Sequence, residues 1–240
     1  MDLYEKTSYD ISRLLTLNYS TSFGLSSKFF STDIRKHIYA IYGLVRIADE
    51  IVDTYQGNDA SQLLDDLENQ TYSSIESGYS TNPVVHSFAL TAREYQIDKR
   101  HIEAFFASMR MDLVAIKYTK ELYQTYIYGS AEVIGLICLK VFVGGDQSQY
   151  LKLEKGAARL GAAYQKVNFL RDIAADYKER GRFYFPDTTY QSFDEAAKQE
   201  VISDIKKDFK IALPSLRKLP DSSRRATMMS YVYYSDLLKK

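Results

Sequence analysis

The sequence predicts an all-α fold in a single domain, on three observations. Only four prolines and eleven glycines punctuate the 240 residues. Between them the apolar residues recur at helical rather than alternating intervals, and no long linker, low-complexity tract or internal repeat divides the chain. At 45% hydrophobic and 14% aromatic the chain can bury a substantial core within the size of one large domain. In order along the chain, the periodicity predicts helices over 2–18, 33–55, 60–77, 83–96, 98–116, 119–143, 147–179, 193–212 and 221–238.

Composition narrows the function classes. Lysine plus arginine (31) equals aspartate plus glutamate (31), so there is no basic excess to favour nucleic acid, and any anion binding is local. The single cysteine, Cys138, excludes an internal disulfide, and His37, His86 and His101 lack zinc-site spacing. A charged start, Met1-Asp2-Leu3-Tyr4-Glu5-Lys6, does not have the layout of a signal peptide, so a reducing, cytoplasmic setting is expected. The most apolar stretch, 126–145, is interrupted by Glu132 and Lys140 and reads as a buried core helix rather than a membrane span. Peripheral attachment to the inner membrane stays compatible with this composition.

The helix over 33–55 separates packing from chemistry. Ile34, Ile38, Ile41, Val45, Ala48 and Val52 step by four and three, the apolar seam of a bundled helix. One residue along, about 100° round the helix, runs a polar stripe: Arg35, Tyr39, Tyr42, Arg46, Asp49 and Asp53. The helix over 147–179 repeats the arrangement, with Leu160, Ala163, Val167, Leu170, Ala174 and Tyr177 as seam and Gln165, Asn168, Asp172 and Asp176 as stripe.

Asp49 and Asp53, and again Asp172 and Asp176, are thus carboxylates four residues apart on one helix face, where like charges repel. Either pair alone fits a solvated helix face. Two pairs, each beside an apolar seam and each near an arginine (Arg46, Arg171), predict a cluster of hard oxygen ligands suited to Mg²⁺ and a phosphorylated substrate. Three smaller features predict packing rather than chemistry. Gly156, Gly161 and Gly181 form no phosphate-cradling loop and suit close helix packing or chain turning. Cys138 reads as core, and His37 as a surface or capping group.

The residues now assembled resemble the squalene and phytoene synthase family, the head-to-head trans-isoprenyl diphosphate synthases, and most closely bacterial phytoene synthases. The likeness begins at Tyr19-Ser20-Thr21-Ser22-Phe23 and Arg35 and continues through the segment from Ile41 to Asp53. It reappears at Met111-Asp112-Leu113 and Tyr118 and through 126–135. It is strongest from Leu160 to Asp176 and in Arg180-Gly181-Arg182-Phe183-Tyr184-Phe185-Pro186. It implies a helical bundle of the isoprenoid synthase type with a central cavity, filling 1–240. In such proteins the four aspartates hold Mg²⁺, or Mn²⁺ with the same ligand preference, and through it the diphosphates of two prenyl substrates.

By the same resemblance, Ser20, Ser22, Arg35, Arg46, Gln165, Asn168, Arg171 and Arg182 hold or orient diphosphate, while Tyr42, Tyr128 and Tyr164 approach the reacting carbons. The implied activity condenses two geranylgeranyl diphosphates into phytoene through a cyclopropylcarbinyl diphosphate. The alternatives are a C15-using dehydrosqualene or squalene-type synthase, or a non-catalytic relative acting in complex assembly. No nicotinamide fingerprint appears, and the implied partners are the prenyl diphosphates, a membrane surface for product release and downstream carotenoid enzymes. Two departures stand out: Glu132 replaces a small residue and is expected near the cavity or metal site, and the terminal helix that follows the 233–238 segment in the family is not represented.

Overall fold

The computed structural model describes residues 1–20, 24, 26–114 and 117–239, and among these it contains helices and turns and no strand. The elements are α1 (Leu3–Tyr19), α2 (Thr32–Asp53), α3 (Ala60–Ser77), α4 (Pro83–Glu94), α5 (Lys99–Met111), α6 (Lys120–Ile127), a π-turn (Tyr128–Glu132), α7 (Val133–Phe142), α8 (Gln147–Arg180), α9 (Glu195–Leu216) and α10 (Asp221–Leu237). Side-chain caps set many of the starts. Asp2, Asn82, Asp98, Thr119, Asp146 and Asp194 each accept a backbone N–H from the first turn of the helix they precede. Two helices end in a left-handed glycine, α3 at Gly78 and α8 at Gly181, where φ is 81° and 66°.

Three boundaries differ from the sequence expectation. The helix expected to 116 stops at Met111, because Asp112 leaves the helix to receive the hydroxyls of Tyr126 (2.6 Å) and Tyr184 (3.1 Å). The helix expected to end before Pro214 runs on to Leu216, which is 2% exposed, so burial of its last turn outweighs the lost backbone donor. The helix expected over 119–143 is continuous but carries the π-turn in its middle.

Close approach explains where that turn sits. A Cβ on Gly129 would lie 2.3 Å from the Ala104 carbonyl of α5, and one on Gly161 would lie 2.3 Å from the Ala131 carbonyl, so bare glycine lets α5 and α8 clamp the π-turn from both sides. With Gly135 set against Ala157 in the same way, α7 and α8 run antiparallel about the turn at Gly144 and Gly145. The 120–142 helix is long and apolar enough to pass a length test for a membrane span, yet 56% of its most apolar window is buried against the rest of the protein.

Glu132 does not face the cavity or the aspartates. It is buried and meets Arg159 of α8 at 2.9 Å, Arg159 also lies 3.5 Å from Asp208 of α9, and Lys166 joins Asp208 (2.7 Å) and Asp204 (2.5 Å). These charges are affordable in the interior because each has an opposite neighbour, and they fix α9 on α8. The expected extra carboxylate at the site is therefore part of a separate helix-to-helix ion chain.

His37 is likewise not a surface group. It is 1% exposed, its Nδ1 lies 2.9 Å from the Thr91 hydroxyl and 3.3 Å from that of Tyr9, and burial lowers its pKa to about 4. A base whose folded pKa lies below its unfolded value binds fewer protons when folded, so stability is full above about pH 6.5 and falls toward pH 4. The loss across that window is expected to be on the order of 2–3 kcal/mol. Thermal melts of the protein and of His37→Gln between pH 4 and 7 check this, the variant giving the shallower dependence.

Candidate active site

The bundle encloses a cavity of about 580 Å³. Its walls come from α2, α7, α8, the end of α9 and α10. Two tertiary links set its axis: the Ser31 N–H donates to the Ser222 carbonyl (2.9 Å), joining the starts of α2 and α10, and near the other end Tyr234 of α10 stacks on Tyr164 of α8 at 4.1 Å. One end is apolar, where Phe30 and Phe142 stack at 5.3 Å beside Leu153, Leu216 and Leu219. The other end carries Ser20, Tyr42, Arg46, Asp49, Gln165, Asn168 and Arg171. The seam residues Ile38, Ile41 and Val45 and the stripe residues Tyr42, Arg46 and Asp49 of α2 all face this space, so the rotation between seam and stripe sets apolar wall beside polar mouth.

At the mouth, acidic side chains from two helices share a field. Asp49 is 32% exposed at the cavity it lines, and burial with repulsion from Asp53 pushes its pKa up to about 7 against the pull of Arg46, 3.9 Å away. Asp176 is raised by burial, opposed by Arg180, with added repulsion from Asp172 on its own helix and from Asp53 across the gap. Arg180 lies 2.9 Å from Asp176 and 4.0 Å from Asp53, so the second members of the two aspartate pairs face each other across the gap, while Asp172 and Asp176 do not line the cavity itself. Asp172 is held by Arg171 through two hydrogen bonds of 2.8 and 2.6 Å.

The structure distributes the other expected residues unevenly. Tyr42, Tyr164, Gln165, Asn168, Arg171 and Ser20 line the cavity, and Ser22 lies outside the described residues. Arg35 turns away and donates to the Phe30 carbonyl at 2.6 and 3.1 Å. Tyr128, in the π-turn, is 42% exposed and does not line the cavity. Asp53 and Arg182 border a smaller polar pocket of about 250 Å³ with Asp112 and Arg180. There Arg182 donates to Asp53, to the Val52 carbonyl (2.7 Å) and to the Asp112 carbonyl (2.9 Å), which makes it a brace between α2 and the turn after α5. Cys138 belongs to the apolar cavity wall, and burial pushes its thiol up to about 12, which leaves it protonated and inert as a nucleophile.

Sequence reasoning gave no role to Asp112, Tyr19 or Tyr234, although the first two lie in segments that carry the family likeness. The Asp112 side chain is 4% exposed and sits 3.8 Å from the Arg182 Nε, but it has no partner at helical spacing to announce it. Tyr19 places its ring 4.5 Å from the Arg46 guanidinium, and Tyr234 reaches the cavity from the far end of the sequence. A divalent ion and a diphosphate suit this donor set. Carboxylate oxygens are hard ligands; the Asn168 Oδ1 is a buried acceptor and the Arg46 Nε a buried donor, neither with a hydrogen-bond partner among the described residues. Among the described residues no three acidic, histidine or cysteine groups converge as a metal cage, and Asp53, Asp172 and Asp176 are each paired with an arginine.

Residues 16–240 match the sequence model of the family described as squalene/phytoene synthase. The chain belongs to that family. A phytoene synthase from Arthrospira platensis is 32% identical over 191 residues, covering 75% of this chain and 61% of the relative. A 4,4'-diapophytoene synthase from Staphylococcus haemolyticus is 25% identical over 206 residues, covering 82% and 68%. Squalene synthase HpnC from Alicyclobacillus acidocaldarius superposes with a TM-score of 0.85 at 18% identity, covering 100% of this chain and 94% of that one, which establishes the shared all-α isoprenoid synthase fold. The chain spans about 61% of the length of the Arthrospira relative.

In this squalene/phytoene synthase relative, Asp112 supports Arg182 and takes up two tyrosine hydroxyls. Burial raises its pKa to about 6 against the pull of Arg182. Asp112→Ala strands these buried groups and is expected to cost about 3–5 kcal/mol, whereas Asp112→Asn, which keeps acceptor and shape, costs less. Chemical unfolding of the two variants beside the parent protein measures the difference.

Proposed function

We propose that the protein is a divalent-ion-dependent prenyltransferase that joins two geranylgeranyl diphosphates head to head into phytoene, releasing diphosphate. The observation that carries this reading is a long, mainly apolar cavity whose polar end carries Asp49, Arg46 and Arg171, with Arg180 spanning Asp53 of one aspartate pair and Asp176 of the other nearby. Such a mouth suits a multiply charged diphosphate, and such a cavity suits a hydrocarbon tail that must react out of reach of water. Mg²⁺ held by Asp49, Asp53, Asp172 and Asp176 would offset the charge that develops on the departing diphosphate.

The chain's own residues do the rest. Arg46 and Arg171 lie at the mouth to bind diphosphate oxygens, with Gln165, Asn168 and Ser20 orienting them. The cation left on the first substrate is attacked by the double bond of the second, and loss of a proton gives the cyclopropylcarbinyl diphosphate; a second ionisation expels the remaining diphosphate, and the rearranged C40 cation loses a second proton to give the neutral hydrocarbon. Tyr42 and Tyr164 line this space, and aromatic rings there would stabilise positive carbon without offering it a strong nucleophile. The uncharged product would pass from a cytoplasmic enzyme to an adjoining membrane surface, where downstream carotenoid enzymes take it up.

Two features support C20 substrates. The Arthrospira relative is a phytoene synthase. From Arg171 to Leu153 the cavity follows α8 for roughly 27 Å at 1.5 Å per residue, a depth suited to a long tail. A C15-using synthase is the second reading, favoured by the 4,4'-diapophytoene synthase relative. Incubation with farnesyl and geranylgeranyl diphosphates separately, with and without Mg²⁺, followed by chromatography of the hydrocarbon, tests substrate and metal together; phytoene formed from the C20 substrate with Mg²⁺ is expected.

Asp49→Ala and Asp172→Ala each remove an acidic ligand rather than packing. Each should keep its helical circular dichroism while turnover falls at least about 100-fold, and full activity in either would contradict the assignment. Ala157 lines the cavity part-way along α8. Ala157→Phe should therefore shift preference from the C20 toward the C15 substrate, read as the ratio of the two turnover rates.

A further inference from the structure

Among the described residues, Arg180 is the side chain that lies within ion-pair distance of an acidic residue of both aspartate motifs. It ends α8, one turn past Asp176, to which its Nη1 donates at 2.9 Å, and its Nε lies 4.0 Å from the Asp53 Oδ1 of α2. Its neighbour Arg182 has a different character. Arg182 is 14% exposed and is tied to Asp53 and two backbone carbonyls, whereas Arg180 is 32% exposed with one carboxylate hydrogen bond. The first is locked in place, and the second can let go at small cost.

Resting on the prenyltransferase reading, we propose that Arg180 is an exchangeable counter-ion: it neutralises Asp53 and Asp176, competes with the divalent ion for their oxygens, and on release turns its charge to the incoming diphosphate. The physical basis is linkage. A cation that binds these carboxylates must first break the ion pairs they already make, so those pairs weaken its binding by their own strength. The freed guanidinium, which borders the smaller pocket beside Asp53, then turns to the diphosphate that the metal brings with it. Metal uptake and diphosphate uptake are thereby coupled through one residue that is neither a metal ligand nor part of the apolar cavity.

The proposal predicts effects of opposite sign on the two ligands. Titration calorimetry of the full chain with MgCl₂ alone should show Arg180→Gln binding the ion roughly three- to tenfold more tightly than the parent. Titration with inorganic pyrophosphate at saturating Mg²⁺ should show the same variant binding at least about threefold more weakly. Arg180→Lys, which keeps the charge, should lie between the two on both counts, and thermal melts confirm that all three are folded. If Mg²⁺ binding in Arg180→Gln is unchanged or weaker, Arg180 holds the carboxylates in place rather than competing for them, and the proposal is overturned. Unchanged pyrophosphate affinity overturns it equally. A parent protein that binds neither Mg²⁺ nor pyrophosphate overturns the prenyltransferase reading, and this one with it.

Discussion

Repulsion between like charges at the mouth of an apolar cavity is the constraint around which the molecule is arranged. Burial, with added repulsion from neighbouring aspartates on α2 and α8, raises the pKa of Asp49 and Asp176. Such a cluster persists only where positive charge is supplied from close by. Arg46, Arg171, Arg180 and Arg182 supply it, each from α2, from α8 or from the segment just after α8. The folding problem and the proposed chemistry therefore meet in one place: the charges that must be balanced for the bundle to close are those proposed to bind a metal–diphosphate group.

The rest of the fold keeps that cluster in register. Bare glycines clamp the π-turn between α5 and α8, so the helix that walls the cavity sits against its neighbours at backbone contact distance. The ion chain from Glu132 through Arg159, Asp208, Lys166 and Asp204 fixes α9 on α8. Asp112, with Tyr126, Tyr184 and Arg182, ties the turn after α5 to Asp53 at the end of α2. In the last two, the buried members Glu132, Lys166, Asp208 and Asp112 each have charged or hydroxyl partners, which is how an interior tolerates them.

The division of the cavity into a charged mouth and an apolar body also bears on selectivity. Diphosphate recognition at the mouth is common to prenyl substrates of any length, so discrimination falls to the apolar depth between the mouth and the Phe30–Phe142 pair. A hydrophobic wall discriminates weakly per methylene, but one isoprene unit adds several at once. On the proposed reading, chain-length preference would be set by the wall residues and metal dependence by the aspartates.

The helical class, the seams of α2 and α8 and the two aspartate pairs were legible in the sequence, because periodicity along one helix is a local property fixed by its 3.6-residue turn. The cavity-facing set Tyr42, Arg46, Asp49, Gln165 and Asn168 followed from that periodicity. What sequence could not reach was which partner each side chain meets across the bundle. Arg182 and Arg35 carry the right charge, yet one braces Asp53 and Asp112 and the other caps the Phe30 carbonyl. Glu132 and His37 were misplaced for the same reason, since their surroundings come from α8, α1 and α4 rather than from neighbours in the chain. Spacing within a helix is written in the sequence, while contacts between residues far apart in the chain depend on how helices cross, and only the tertiary structure decides that.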